Sequence, residues 1–246
     1  MRDRAVLITG AARRIGAAIA RALHAGGARI IAHCHHSRTE AAQLAVELNA
    51  SRAGSCAVVV ADLLDVDGLA RLAGDSAACF GRLDGLVNNA SSFQATPIGT
   101  ITSEQWDDLM GTNLRAPLFL CQAAAPHLRA AQGAIVNIVD IHADRPLRDF
   151  ATYSIAKGGL ATLTRSLALE LAPEVRVNGV APGAILWPED GRHFPLQEQA
   201  RIKERIPLQR IGEPADIAGA VKYLLFDAPY VTGQILAVDG GRSVRL

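Results

Sequence analysis

Aromatic residues make up only 4% of the 246 residues, cysteine occurs four times, and neither sign of charge dominates. The balance of 25 Lys and Arg against 24 Asp and Glu, a formal net charge of +1, offers no basic surface for nucleic acid or an anionic membrane. A nucleic-acid partner is therefore not expected. Cys34, Cys56, Cys79 and Cys121 are scattered and form no Cys-x-x-Cys pair, which argues against a disulfide framework and a cysteine-held metal. No uninterrupted apolar run approaches the roughly 20 residues needed to cross a bilayer. The chain opens on a charged stretch that runs straight into a strand, with no signal or transit pattern. These absences predict a reduced, cytoplasmic protein with no membrane partner.

What is abundant is small and apolar: half the residues are hydrophobic and 22 are glycine. That composition suits helices packed closely on a buried parallel sheet. Short apolar runs at 5–10, 29–36, 56–61, 83–87, 134–139, 175–180 and 235–238 read as strands. Between them, helical spacing appears near 14–25, 40–49, 66–79, 103–129, 152–171 and 214–226. The alternation predicts an α/β, Rossmann-like, doubly wound parallel sheet in three layers (α/β/α). No repeat, low-complexity tract or linker divides the chain, so residues 1–246 are read as one domain. A long irregular stretch rich in Pro and charge, about 184–213 with a short helix near 196–205, reads as a lid insertion.

Between the first strand and first helix lies the turn Thr-Gly-Ala-Ala-Arg-Arg-Ile-Gly, residues 9–16. Glycine lets backbone turn sharply and approach a pyrophosphate, and a helix N-terminus offers free N–H groups and positive potential. Gly10, Arg14, Ile15 and Gly16 are thus candidate cofactor contacts. An acid at the end of the second strand would select NAD by bonding the adenine ribose. Here that strand runs into His35, His36, Ser37 and Arg38, whose donors and charge favour the 2′-phosphate of NADPH. His33 and His35 alternate onto one face, but no acid or cysteine stands at ligand spacing, so no metal site is expected.

Tyr153 and Lys157 form Tyr-x-x-x-Lys at the start of a helix, which places both side chains on one face. A nearby ammonium favours phenolate and is expected to lower the Tyr153 pKa towards working pH.

Taken together, these motifs resemble the short-chain dehydrogenase/reductase family, whose turn reads Thr-Gly-x-x-x-Gly-x-Gly; Arg14 replaces its middle glycine. The resemblance implies that Asp62 and Leu63 meet the adenine, although Asp62 would equally serve as a helix cap. It further implies that Asn89, Ala90 and Ser91, following Asn88, line the cofactor crevice, and that Pro182 and Gly183 lie beside the nicotinamide. Tyr153 and Lys157 would be the acid–base pair, with Lys157 also holding ribose. Asn113 matches a family Asn whose backbone carbonyl anchors a water relay.

Ordinary members carry a serine thirteen residues before the tyrosine; this chain has Asp140. A carboxylate there opposes the charge that develops on a ketone oxygen, but suits a substrate rich in N–H donors. Asp140, Tyr153 and Lys157 are best treated as one coupled titrating unit. Pteridine reductases are similar to this chain over nearly its full length and share this Asp-Tyr-Lys set, the turn arginine and a phenylalanine matching Phe93. Their resemblance implies a pterin stacked between Phe93 and nicotinamide, bounded by Arg14, Ser91, Asp140 and Tyr153. Tyr153 would donate the proton for the 7,8 bond, recharged through Asp140, and water would supply it for the 5,6 bond.

Dihydropterin or dihydrofolate would then be reduced to the tetrahydro form. Two rivals stand beside this expectation: an NADPH-dependent carbonyl or 3-oxoacyl reductase with an altered site, and a non-catalytic cofactor sensor. The resemblance also implies a homotetramer, with the 152–171 helix and the last strand at interfaces, and a tail, 241–246, that reaches a neighbour's pocket. Trp187 is open between pocket wall and structural roles.

Overall fold

The computed structural model describes residues 1–187 and 194–244. Seven parallel strands run β1 (Ala5–Ile8), β2 (Arg29–Cys34), β3 (Cys56–Val60), β4 (Gly85–Asn88), β5 (Ala134–Ile138), β6 (Arg176–Pro182) and β7 (Ile235–Val238). Their order in the sheet is β3-β2-β1-β4-β5-β6-β7. The direction of winding reverses between β1 and β4, and the crevice beyond the carboxyl ends of those strands is where ligands of such sheets bind.

Alternation within each strand supplies both faces of the sheet. Val6 and Ile8 of β1 join one apolar cluster with Ile19 and Leu23 of α1 (Arg14–Ala25), Leu44 of α2 (Arg38–Ser51), and Ile217 and Val221 of α8 (Pro214–Lys222). Ala5 and Leu7 point the other way, into a cluster with Leu72 of α3 (Gly68–Phe80) and Leu120 of α5 (Ala116–Ala131). The outcome is the predicted three-layer Rossmann-like architecture, with all four β1 residues buried.

Two expected elements differ. The single helix read over 103–129 is α4 (Ser103–Met110), a π-helical turn (Gly111–Arg115) and α5. At the widened turn, the Asn113 amide donates to the Leu109 carbonyl and to Ser92 in the neighbouring loop. The helix near 214–226 is likewise α8 followed by a π turn, Tyr223–Asp227. There the Arg176 guanidinium collects the carbonyls of Leu224, Leu225, Ala228 and Val231. Helix α6 (Ala151–Glu170) and the short α7 (Leu196–Glu204) fall where expected, and residues 188–193 of the lid lie outside the described residues. Among the described residues no helix is long and apolar enough to cross a membrane.

Candidate active site

The turn from β1 into α1 depends on two bare positions. Gly10 has φ of 62°, and a Cβ on it would stand 3.1 Å from the Ala90 Cα. A Cβ on Gly16 would collide with the Gly10 carbonyl oxygen and lie 2.7 Å from Asn89 Nδ2. Arg14 has φ of 53°, a left-handed conformation natural to the glycine it replaces. Its guanidinium donates to the carbonyls of Leu186 at 3.3 Å and Trp187 at 3.1 Å, across the cleft. No side chain caps α1 and no acid occupies its first turn, which leaves its positive end suited to a phosphate.

Neighbouring strands brace this turn. Thr9 Oγ1 accepts from the Asn89 and Ala90 amides, and Asn89 Nδ2 donates to the Thr9 and Gly10 carbonyls. Asn89, expected as a cofactor contact, therefore has its amide engaged in holding the turn. His33 is a brace as well. Its Nδ1 accepts from the Gly10 amide at 3.3 Å, so Nε2 donates to the Ala61 carbonyl at 3.1 Å. Burial pushes the His33 pKa down to about 4, against the pull of that carbonyl. This imidazole is structural and neutral, and among the described residues no group of His, Cys, Asp and Glu is placed to hold a metal.

At the other end of the crevice β2 stops at Cys34 and α2 begins at Arg38, earlier than the spacing suggested. His35, His36 and Arg38 are exposed at this corner, and the two histidine rings lie 3.7 Å apart. Ser37, at the head of α2, makes no capping bond with its side chain. Asp62 sits opposite, 3.9 Å from His35, and accepts from the Leu64 amide at 2.9 Å. Because α3 starts only at Gly68, Asp62 closes a turn and does not cap that helix. Leu63 beside it is buried.

The reactive group of residues gathers where β5 ends and α6 begins. Tyr153 Oη donates to Asp140 Oδ2 at 2.8 Å, and the other carboxylate oxygen accepts from the His142 amide at 2.8 Å. Lys157, only 2% exposed, donates to the Ile138 carbonyl at 2.9 Å, with its ammonium 5.7 Å from the centre of the Tyr153 ring. Burial brings the Lys157 pKa down to about 8, while Asp140 opposes the fall. The Tyr153 result corrects the expectation from sequence. Burial first, then the charge and hydrogen bond of Asp140, hold the phenol well above its ordinary value, with Ser91 pulling weakly the other way. Burial, and a carboxylate accepting the phenol's hydrogen bond, outweigh an ammonium turned towards a backbone carbonyl.

These residues share a cleft of about 480 Å³ with Arg14, Ile15, Ser91, Pro182, Gly183 and Trp187. Gly183 packs so closely on Asp239 that a Cβ would lie 2.7 Å from that residue's Cβ. Phe93 stacks on Phe150 at 4.5 Å and meets the edge of Tyr153 at 4.8 Å. A nearly parallel Phe194 lies 6.4 Å away on the lid, beside Trp187. Trp187 is thus a wall of the cleft. The loop carrying Phe93 is fastened to the start of α6 by the Thr96 amide bonding the Asp149 carbonyl at 2.6 Å. Asn113 supports the same loop through its side chain, accepting from Ser91 Oγ at 2.6 Å and donating to the Ser92 carbonyl at 2.9 Å.

Several lining residues were not anticipated: His142, Leu147, Phe194, Ile202 and Arg242. Arg242 is the most consequential, because the tail was expected to serve a neighbour. Here it lines the cleft of its own chain, while residues 245 and 246 lie outside the described residues.

Comparison with known proteins places this geometry among oxidoreductases. The family model described as Enoyl-(Acyl carrier protein) reductase matches residues 10–243. Pteridine reductase 1 of Leishmania tarentolae is 38% identical, with 97% of this chain and 96% of that protein covered. The 3-oxoacyl-(acyl-carrier-protein) reductase of Staphylococcus aureus is 35% identical, with 97% of each covered. A solved structure described as a short-chain alcohol dehydrogenase from Sinorhizobium meliloti 1021 superposes with a TM-score of 0.94 at 32% identity, covering 100% of this chain and 98% of that one.

Proposed function

The chain belongs to the short-chain dehydrogenase/reductase family of oxidoreductases, and we propose that within it the protein reduces oxidised pterins and dihydropterins with NADPH. The observation that carries this reading is the 2.8 Å hydrogen bond from Tyr153 to Asp140, a carboxylate where ordinary members present a hydroxyl. A ketone oxygen gaining charge would be repelled there, whereas ring N–H and amino groups of a pterin would be welcomed. The likeness to a pteridine reductase supports the same assignment. The likeness to a 3-oxoacyl reductase keeps carbonyl reduction as the alternative.

The bare positions at Gly10 and Gly16 and the uncapped start of α1 fit a nicotinamide dinucleotide. Gly10, Ile15, Gly16 and Ala90 would cradle its pyrophosphate end, and Asp62 with Leu63 its adenine. His35, His36, Ser37 and Arg38 would bind the 2′-phosphate that distinguishes NADPH. Lys157, Ser91, Pro182 and Gly183 would hold the nicotinamide half. When bound, that cofactor supplies the hydride.

The protein's own task is the proton. Tyr153 keeps its proton tightly because a phenolate beside Asp140 would place two negative charges in one buried site. On the 7,8 bond of an oxidised pterin, Tyr153 therefore gives its proton to the ring nitrogen as Asp140, having taken one up from solvent, hands it to the phenol oxygen; on the 5,6 bond of a dihydropterin water supplies the proton. Lys157 steadies the charge from behind. Phe93, with an exposed ring face, supplies the stacking surface for the flat substrate, and Arg14 borders the cleft on the cofactor side.

Loss of NADPH absorbance with 7,8-dihydrobiopterin, 7,8-dihydrofolate and a panel of ketones and 3-oxoacyl thioesters tests the assignment. The reading expects turnover of at least one pterin and little or none of the carbonyl compounds. Efficient turnover of carbonyl compounds alone would replace it by the carbonyl-reductase alternative, and no turnover of any would leave a cofactor sensor.

A further inference from the structure

Arg242 lines the cleft with Asp140 and Ile202, yet among the described residues its guanidinium has no hydrogen-bond or ion-pair partner. It is not a loosely hung surface residue. Asp239, at the end of β7, accepts from the Gly241 amide at 2.8 Å and from the Ser243 amide at 2.7 Å, and so clasps the turn that carries Arg242. Asp239 itself packs on Gly183, so the turn is fixed to the backbone that borders the cleft. The guanidinium is partly stripped of water; burial, with the Arg205 cation, depresses its pKa against the fields of Asp140, Asp239 and Glu198.

The carboxylates that surround it are already engaged. Both oxygens of Asp140 accept other protons, from Tyr153 and His142, and both oxygens of Asp239 accept backbone amides. A cation that is partly desolvated, carried on a clasped turn and unmatched by contact has five N–H donors to offer whatever enters the cleft. Arginine's planar fork fits a carboxylate with two parallel bonds.

We propose that Arg242 is a specificity-determining residue that receives a carboxylate on the substrate's side chain, so that the preferred substrate is a pterin bearing an acidic tail. This rests on the pterin reading above and narrows it. Asp140 then takes the donor-rich ring, Phe93 its face, and Arg242 the anionic substituent beyond it. The two charged side chains divide the substrate by polarity, which a neutral-tailed pterin could exploit only in part.

Two measurements on the full chain separate this inference from the reading beneath it. The first is binding of 4-aminobenzoylglutamate, which carries the carboxylates but no pterin, in the presence of NADPH. Arg242→Met should weaken it about 10- to 100-fold, the range of a lost charge-assisted bond, and Arg242→Lys should weaken it less. The second is steady-state kinetics. Arg242→Met should raise KM for 7,8-dihydrofolate by a similar factor with kcat little changed, and should alter kcat/KM for 7,8-dihydrobiopterin less than about threefold. NADPH affinity, read by fluorescence, should stay unchanged.

Equal losses with both substrates would overturn the inference, because Arg242 would then act on the shared ring or on Asp140. Unchanged benzoylglutamate binding, or a loss confined to NADPH affinity, would overturn it too. If benzoylglutamate binding depends on Arg242 while no pterin is turned over, the carboxylate site stands and the pterin reading fails.

Discussion

At the residue scale the site is governed by which proton each polar group holds. Lys157 shows the consequence most simply. With its pKa near 8, kcat/KM should fall as pH rises through about 8, because the ammonium that steadies the site is lost on that side. A rate that stays level to pH 10 would show that the neutral amine suffices. His33 provides a stability counterpart. Its folded-state pKa of about 4 lies below the unfolded value of 6.5, so its contribution is complete above pH 6.5 and is lost as pH falls towards 4. NMR should find the His33 ring still neutral at pH 5.5, with the proton on Nε2. Phe93 contributes through its exposed face, and Phe93→Ala should raise the pterin KM about 2- to 10-fold, the value of one aromatic stack.

At the scale of elements, the helices were legible from their apolar period, and the strands because burial on both faces turns each into a short apolar run. Val6 and Ile8 face one cluster and Ala5 and Leu7 the other, so β1 is apolar in all four letters. The π turn at 111–115 left no such mark. Its cause is Asn113 bonding to a loop some twenty residues earlier, a contact that no local pattern contains. The same limit hid Arg242, since a tail has no periodicity and its place beside Asp140 depends on Asp239 clasping the turn. It also reversed the direction expected for Tyr153: the sequence places Tyr153 and Lys157 on one helix face, but does not show how deeply the phenol is buried or that its hydroxyl bonds Asp140. By contrast, the glycine turn was readable because chemistry and sterics coincide there. Gly16→Ala should weaken NADPH binding by about tenfold or more, measured by fluorescence titration, since its Cβ meets the Gly10 carbonyl. A buried polar chain from Asn88 through Asn137 to Thr164 ties β4 and β5 to α6. Asn137→Ala should cost about 1–3 kcal/mol of stability by stranding its partners.

For the whole molecule, one sheet brings segments from both halves of the chain to a single crevice. The glycine turn follows β1, the loop of Ser91 and Phe93 follows β4, Asp140 follows β5, Gly183 follows β6 and Arg242 follows β7. We further propose the homotetramer that the family likeness implies. Ile155 and Leu169 of α6 are 53% and 83% exposed, and Leu118 of α5 is 39% exposed, an apolar surface that subunit contacts would cover. Light scattering should give four times the 26.0 kDa chain mass, and a monomer would refute that arrangement.

The central claim is that a carboxyl group, hydrogen-bonded to the phenol, makes this a pterin reductase. It is tested most directly by kcat/KM for an oxidised pterin, whose 7,8 bond takes its proton through Tyr153, and for a ketone in Asp140→Asn and Asp140→Ser, with NADPH affinity as the control for folding. The account predicts a fall of about 100-fold or more on the pterin in both variants, within the range of general acid–base catalysis, and a gain of ketone turnover in Asp140→Ser. Pterin turnover that survives either change intact would contradict it.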